Sequence, residues 1–150
     1  MHQTPKFQED HSSQIPAIQF LQNLGYTYLT PVEALLERNK DNQSVILEHI
    51  LETQLKKINS FEYKGEQYRF SENNIKNAIS VLKDFPLVEG LVRANEQAYD
   101  LLTLGKSFEQ SIDGDKKSYS LKYIDWENPE NNVYHVTAEY EVGRIGREDR

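Results

Sequence analysis

The feature that most constrains this 150-residue chain is a switch to a hydrophobic period of two over residues 118–142. Tyr119, Leu121 and Tyr123 alternate with Ser118, Ser120 and Lys122. After a polar interruption, Tyr134, Val136, Ala138, Tyr140 and Val142 alternate with His135, Thr137, Glu139 and Glu141. Such alternation describes strands with one buried face. The interruption, Asp125-Trp126-Glu127-Asn128-Pro129-Glu130-Asn131-Asn132, is built from residues that stop and turn a chain. The stretch therefore reads as strand–turn–strand. Two strands do not bury an apolar face unaided, so the helical patterns upstream must cover them. The closing run, with Arg144, Arg147, Glu148, Asp149 and Arg150, leads more naturally into another strand than it closes a fold. The expectation is an incomplete sequence.

The upstream patterns are mostly helical. Residues 1–11 are polar, aperiodic and expected to be loose. Ser12 or Ser13 can cap a short helix carrying Ile15, Ile18, Leu21 and Leu24, with Pro16 tolerated in its first turn and Gly25 as its stop. Thr30-Pro31-Val32-Glu33 is the clearest cap: threonine at the N-cap, proline at the first helical position, and a glutamate that can reach back to the Thr30 amide. Its helix is expected to end near Asn39. A longer helix is expected from Asn42 or Ser44, with Leu47, Ile50, Leu51, Leu55 and Ile58 inward. Phe61 to Phe70 reads as a small hairpin turning at Lys64-Gly65. Ser71 caps the next helix, which buries Ile75, Ala78, Ile79, Leu82 and Phe85 and ends before Pro86. The last helix spans residues 87–104, with Leu91, Ala94, Ala98, Leu101 and Leu102 inward and Gly105 as stop. A polar linker, 106–117, then leads to the first strand. The fold class is thus α+β, a mostly helical cluster packed on a small partial sheet, with a weak domain boundary near residue 60.

Composition narrows the chemistry. The chain has no cysteine, which excludes disulfides, thiolate zinc sites and a cysteine nucleophile. No stretch approaches the roughly 20 apolar residues of a spanning helix, and the N-terminus lacks the apolar core of a signal peptide, so a cytoplasmic protein without a membrane partner is expected. The formal net charge of −7 gives no general attraction for nucleic acid, although a local patch could still contact DNA.

Catalytic constellations are thin. Asp113, Asp115 and Lys117 resemble the last part of a carboxylate–carboxylate–lysine metal site, in which paired carboxylates bind Mg²⁺ and a lysine polarises the attacking water. That chemistry needs rigid neighbouring strands, whereas Asp113-Gly114-Asp115 is turn-like, so a solvent-exposed turn is the better reading. The spacing also fails the calcium-loop pattern. His2, His11, His49 and His135 are scattered, and no nucleophile elbow or phosphate-cradling glycine loop is present. Tyr119, Tyr123, Trp126 and Tyr134 could form a base-stacking platform, but alternating strand positions are more simply core. No catalytic, cofactor-binding or metal-ligating residue is assigned.

Several strings are more specific. QIPAIQFLQNLGYTYLTP (14–31), FEYKG (61–65), EGLVR (89–93), YDLLTLGKSF (99–108), IDGDKK (112–117) and YIDWENPENN (123–132) resemble the N-terminal region of the R, or restriction and motor, subunit of type I restriction enzymes. The resemblance covers nearly the whole chain from about residue 12. It implies a large ATP-dependent protein that translocates and cuts double-stranded DNA alongside methylation (M) and specificity (S) subunits. It also implies an α/β nuclease core, here incomplete, whose Mg²⁺ ligands come from a Pro-Asp strand and a Glu-x-Lys strand. Those strands are expected immediately after Arg150; Tyr134 to Val142 matches the strand before them. Relatives commonly carry a glutamate on the first helix, but this chain has Gln14 and Ala17 there, with Glu9 and Asp10 out of register.

The resulting expectation is residues 12–150 as an incomplete nuclease domain, inactive by itself and holding neither Mg²⁺ nor ATP. One alternative is a protein-interaction module docking onto the helicase or modification subunits. A weaker one is an acidic DNA mimic, disfavoured by the lysines and arginines interspersed among the carboxylates.

Overall fold

A computed structural model describes residues 13–86, 88–138 and 140–143. The elements in chain order are helix α1 (Ile15–Asn23), strand β1 (Thr27–Leu29), α2 (Pro31–Glu37), α3 (Glu48–Ile58), β2 (Phe61–Tyr63), β3 (Glu66–Tyr68), α4 (Glu72–Lys83), α5 (Leu91–Leu104), β4 (Lys106–Ile112), β5 (Asp115–Leu121), a 3₁₀ turn (Pro129–Asn131) and β6 (His135–Thr137). The fold is mixed α+β, with three small open two-stranded sheets accompanying the helices among the described residues. The chain divides into two compact units, one drawn from Met1–Val45 and Val133–Arg150, the other the continuous stretch Ile46–Asn132.

The continuous unit contains the apolar core. Leu55 of α3, Phe61 of β2, Phe70, Ile75, Ala78 and Ile79 of α4, Leu101 of α5, Leu121 of β5 and Tyr123 form one buried cluster. Helix α4 starts where the Ser71 hydroxyl accepts from the Asn74 amide, as its sequence directs. Strands β2 and β3 pair antiparallel around Lys64-Gly65, and β4 and β5 pair antiparallel around Asp113-Gly114. In both turns the two central residues have positive φ, +50° and +83° in the first and +51° and +84° in the second. This is the type I′ geometry whose twist matches paired strands. Gly105 ends α5 at φ +72°, and a Cβ there would run into the Leu121 backbone carbonyl, so only glycine permits the helix to turn directly into β4.

The discontinuous unit is built differently. Strand β1 pairs parallel with β6, Thr27 opposite His135 and Leu29 opposite Thr137. Helix α2 begins with a complete capping box: the Glu33 amide donates to Thr30 Oγ1 at 3.2 Å, and the Thr30 amide to Glu33 Oε2 at 2.8 Å. These bonds hold the Glu33 carboxyl below its ordinary range, the Thr30 backbone bond being the larger cause. Among the described residues, only Ala34, Arg38 and Ser44 of this unit are buried. Helix α1 buries none of its side chains, and Phe20 is 62% exposed.

Four expectations are corrected. The strands of 118–142 do not pair with each other: β5 pairs with β4, in the stretch read as a linker, and β6 pairs with β1. A nearby partner across a two-residue turn is entropically cheaper than one across the 125–132 loop, which is fastened elsewhere. Helix α1 has Gln14 at its N-cap with no side-chain cap bond; Ser12 lies outside the described residues. Helix α3 starts at Glu48, because Ser44 is buried and its carbonyl is held by Arg38, which keeps the preceding chain out of the helix. Leu91, expected inward, is 72% exposed.

Candidate functional site

Asp113, Asp115 and Lys117 lie at and beside the tip of the β4–β5 hairpin, all three exposed. The neighbouring β2–β3 hairpin supplies their partners. Tyr63 donates its hydroxyl to Asp115 Oδ2 at 2.6 Å, and that bond to a carboxylate raises the tyrosine's pKa. The ammonium groups of Lys64 and Lys117 lie 4.8 and 5.4 Å from the centre of the same Tyr63 ring. One carboxylate is therefore engaged by a phenol, and the lysine is turned to an aromatic face. Among the described residues no group of three histidines, aspartates and glutamates could hold a metal ion. Asp115 is already engaged by the Tyr63 hydroxyl, and no third carboxylate or histidine joins it and Asp113 among the described residues.

The other candidates are dispersed. His2 and His11 lie outside the described residues; His49 is exposed on α3 and His135 half-buried on β6. Within the continuous unit, Tyr119, Tyr123 and Trp126 do not form a platform. Tyr119 stacks on Phe61 with centroids 4.1 Å apart. Tyr123 is buried and donates to the Ala78 carbonyl at 2.7 Å, and burial pushes its pKa up to about 12. Trp126, 59% exposed, donates its indole N–H to the Leu102 carbonyl at 3.0 Å. Tyr134, in the other unit, packs near Tyr26.

Two polar centres were missed by sequence reasoning. In the continuous unit, Asp125 is 2% exposed and organises the whole 125–132 loop. Its carboxylate accepts from Asn131 Nδ2 at 3.0 Å, the Lys122 ammonium at 2.9 Å and the Asn128 amide at 3.3 Å. Asn132 closes the ring by accepting from the Asp125 amide and donating to its carbonyl. These bonds, led by Asn131 and then Lys122, lower the Asp125 pKa to about 2. Helix α3 fastens the loop from below, with Gln54 Nε2 and Lys57 Nζ both donating to the Asn131 carbonyl. The signal was present: an aspartate followed by asparagines three, six and seven positions later is a self-satisfying turn.

In the discontinuous unit the second centre is Arg38, 4% exposed. Its guanidinium donates to the Ser44 and Glu141 carbonyls at 3.1 and 2.9 Å and lies 4.3 Å from the centre of the Tyr140 ring. Arg38 Nε finds no acceptor among the described residues. The Tyr140 hydroxyl donates to the Val45 carbonyl, so the chain after β6 is tied to the chain after α2 by both residues. No carboxylate partners Arg38 among the described residues, and the group binds backbone, which makes it an anchor and not a proton-transfer group.

Comparison with known proteins gives this geometry its context. Residues 6–150 match the family described as the type I restriction enzyme R protein N terminus. A protein of Methanocaldococcus jannaschii, provisionally named type I restriction enzyme MjaIXP endonuclease subunit, is 30% identical over 155 residues. That alignment takes in 96% of this chain and 14% of the relative, so the chain spans about a seventh of the relative's length. No solved structure matches the chain. No helix among the described residues is long and apolar enough to cross a membrane. With the match running over almost its entire length, the chain belongs to the family of type I restriction enzyme R protein N termini.

Proposed function

We propose that this chain is the N-terminal part of the nuclease domain of a type I restriction R subunit, a protein that cuts and translocates double-stranded DNA with ATP, together with methylation and specificity subunits. The family match over residues 6–150 carries the reading. The character of the discontinuous unit supports it. Parallel strands normally lie inside larger sheets covered on both faces, yet among the described residues β1 and β6 pair only with each other. Helix α1 offers Ile15 and Phe20, its C-cap offers Leu24, and α2 offers Val32 and Leu36, as exposed apolar side chains ready to cover further strands.

On this reading the unit is the shoulder of a restriction-endonuclease-like α/β core, and residues 12–150 belong to one incomplete domain. The Mg²⁺ ligands sit on strands that follow residue 150. Mg²⁺ bound there supplies water activation and charge stabilisation for phosphodiester hydrolysis. The residues of this chain contribute no ligand. Their work is structural: Arg38 and Tyr140 fix the course of the chain leaving β6, and the capping box fixes α2 beside it.

The test compares Mg²⁺-dependent cleavage of plasmid DNA by the 150-residue chain and by a chain extended by about 100 residues, enough to complete a domain of ordinary size. A third protein carries the extension with its Glu-x-Lys lysine replaced by alanine. Cleavage by the extended chain alone is the expected result. Cleavage by the 150-residue chain, or by the alanine variant, overturns the placement of the active site.

A further inference from the structure

Helix α5 carries a stripe that its own fold does not use. Ala94 and Leu101 point into the core, while Val92 and Tyr99, two turns apart on the opposite face, are 75% and 68% exposed. The short Asn95 side chain between them leaves a hollow of about 580 Å³ lined by Val92, Asn95, Glu96, Tyr99 and Asp100. Trp126, also exposed, is hydrogen-bonded to the Leu102 carbonyl near the C-terminal end of the helix. From Val92 to Tyr99 the stripe is about 10 Å long, at 1.5 Å per residue, which is about two turns of a facing helix.

The rim of this stripe is acidic. Arg93 is shared between Glu89 at 3.4 Å and Glu96 at 3.0 Å, so one cation serves two carboxylates. Asp100 has no ion-pair partner among the described residues. A hollow between residues four and seven apart accepts an apolar knob from a crossing helix, and carboxylates along one flank select cations beside that knob. A second copy of this chain fits poorly. Two-fold antiparallel pairing centred on the hollow sets Glu96 against its own symmetry mate, and like charges so placed repel. DNA is disfavoured by the same carboxylates.

We infer that the outer face of α5 is a docking seat for an amphipathic helix of a different polypeptide, apolar along one side and bearing lysine or arginine beside Glu96 and Asp100. This surface is independent of the nuclease reading, and its test needs no catalytic activity. The probes are two synthetic 18-residue helical peptides sharing a leucine seam, one flanked by lysines and the other by glutamates. Binding to the 150-residue chain is read by calorimetry and by Trp126 fluorescence. The lysine peptide binds and the glutamate peptide does not. Val92→Ala and Tyr99→Ala each weaken binding by about tenfold or more, as expected of central apolar contacts. The double variant Glu96→Lys with Asp100→Lys reverses the preference to the glutamate peptide. Equal binding of both peptides, binding indifferent to Val92 and Tyr99, or charge reversal without a change of preference overturns the inference. So does self-association that Tyr99→Ala abolishes, which assigns the stripe to a second copy.

Discussion

Asp125 couples the fold of the continuous unit to pH. Its carboxylate titrates at about 2 in the folded chain against 3.8 for an ordinary aspartate. A folded-state pKa below the unfolded one means that the unfolded chain binds the proton more readily. The stabilisation is therefore whole above pH 4 to 5, begins to fade as pH falls through 3.8, and is gone below about 2. Urea midpoints measured from pH 6 down to pH 2 should fall more steeply for the natural chain than for Asp125→Asn, which keeps the shape but cannot lose that charge. Parallel curves for the two proteins would remove Asp125 from the acid response. At neutral pH the variant should already be less stable, because Lys122 and the Asn128 amide lose an anionic acceptor whose own side chain is buried.

At the scale of elements, the capping box gives α2 much of its reason to exist. A helix of seven residues is too short to persist on propensity. Thr30→Ala removes the acceptor of the Glu33 amide and should lower the stability of the discontinuous unit by about 1 kcal/mol, while Thr30→Ser should recover most of it. An unchanged unfolding midpoint in Thr30→Ala would show that tertiary contacts alone hold the helix. This cap was legible in the sequence because its chemistry is complete within four residues, and the same holds for Ser71 and the Lys64-Gly65 turn. The Asp113-Gly114 turn has the same chemistry, yet β4 and the first residues of β5 fall in the stretch whose sequence reads as a linker. The inner row of β4 runs Phe108, Gln110, Ile112, and Gln110 breaks the apolar alternation because its Oε1 serves the Ser71 amide. Parallel pairing of β1 with β6 was not legible, since nothing in Thr27–Leu29 names a partner so distant in sequence. Leu91 misled for a third reason. Helix α5 is apolar on two faces, and periodicity alone cannot say which one the core takes.

The candidate site follows the same division at the scale of the whole molecule. Family strings could be read directly, but Asp125 and Arg38 acquire their roles only through the partners that folding brings to them. The two units differ sharply in what they bury. Every residue of the apolar cluster lies within Ile46–Asn132. Several buried polar groups there are also served internally: Asn59 exchanges bonds with the Leu55 and Lys122 backbone, Tyr123 reaches Ala78, and Gln54 Nε2 reaches Asn131, while Gln54 Oε1 and Gln110 Nε2 find no partner among the described residues. Nothing in that list calls on the other unit. A polypeptide of residues 46–132 should therefore fold alone, with dispersed amide resonances and a single cooperative urea transition. In the 150-residue chain, amide hydrogens of α3, α4 and the β4–β5 pair should exchange near the global unfolding limit. Those of α1, β1 and β6 should exchange faster, since a three-residue parallel pair beside a helix with no buried side chain has little to hold it closed. Uniform protection across both units would mean that the discontinuous unit draws stability from a core it does not contain. Failure of 46–132 to fold would mean that the apolar cluster and the bonds within the continuous unit do not suffice to hold it.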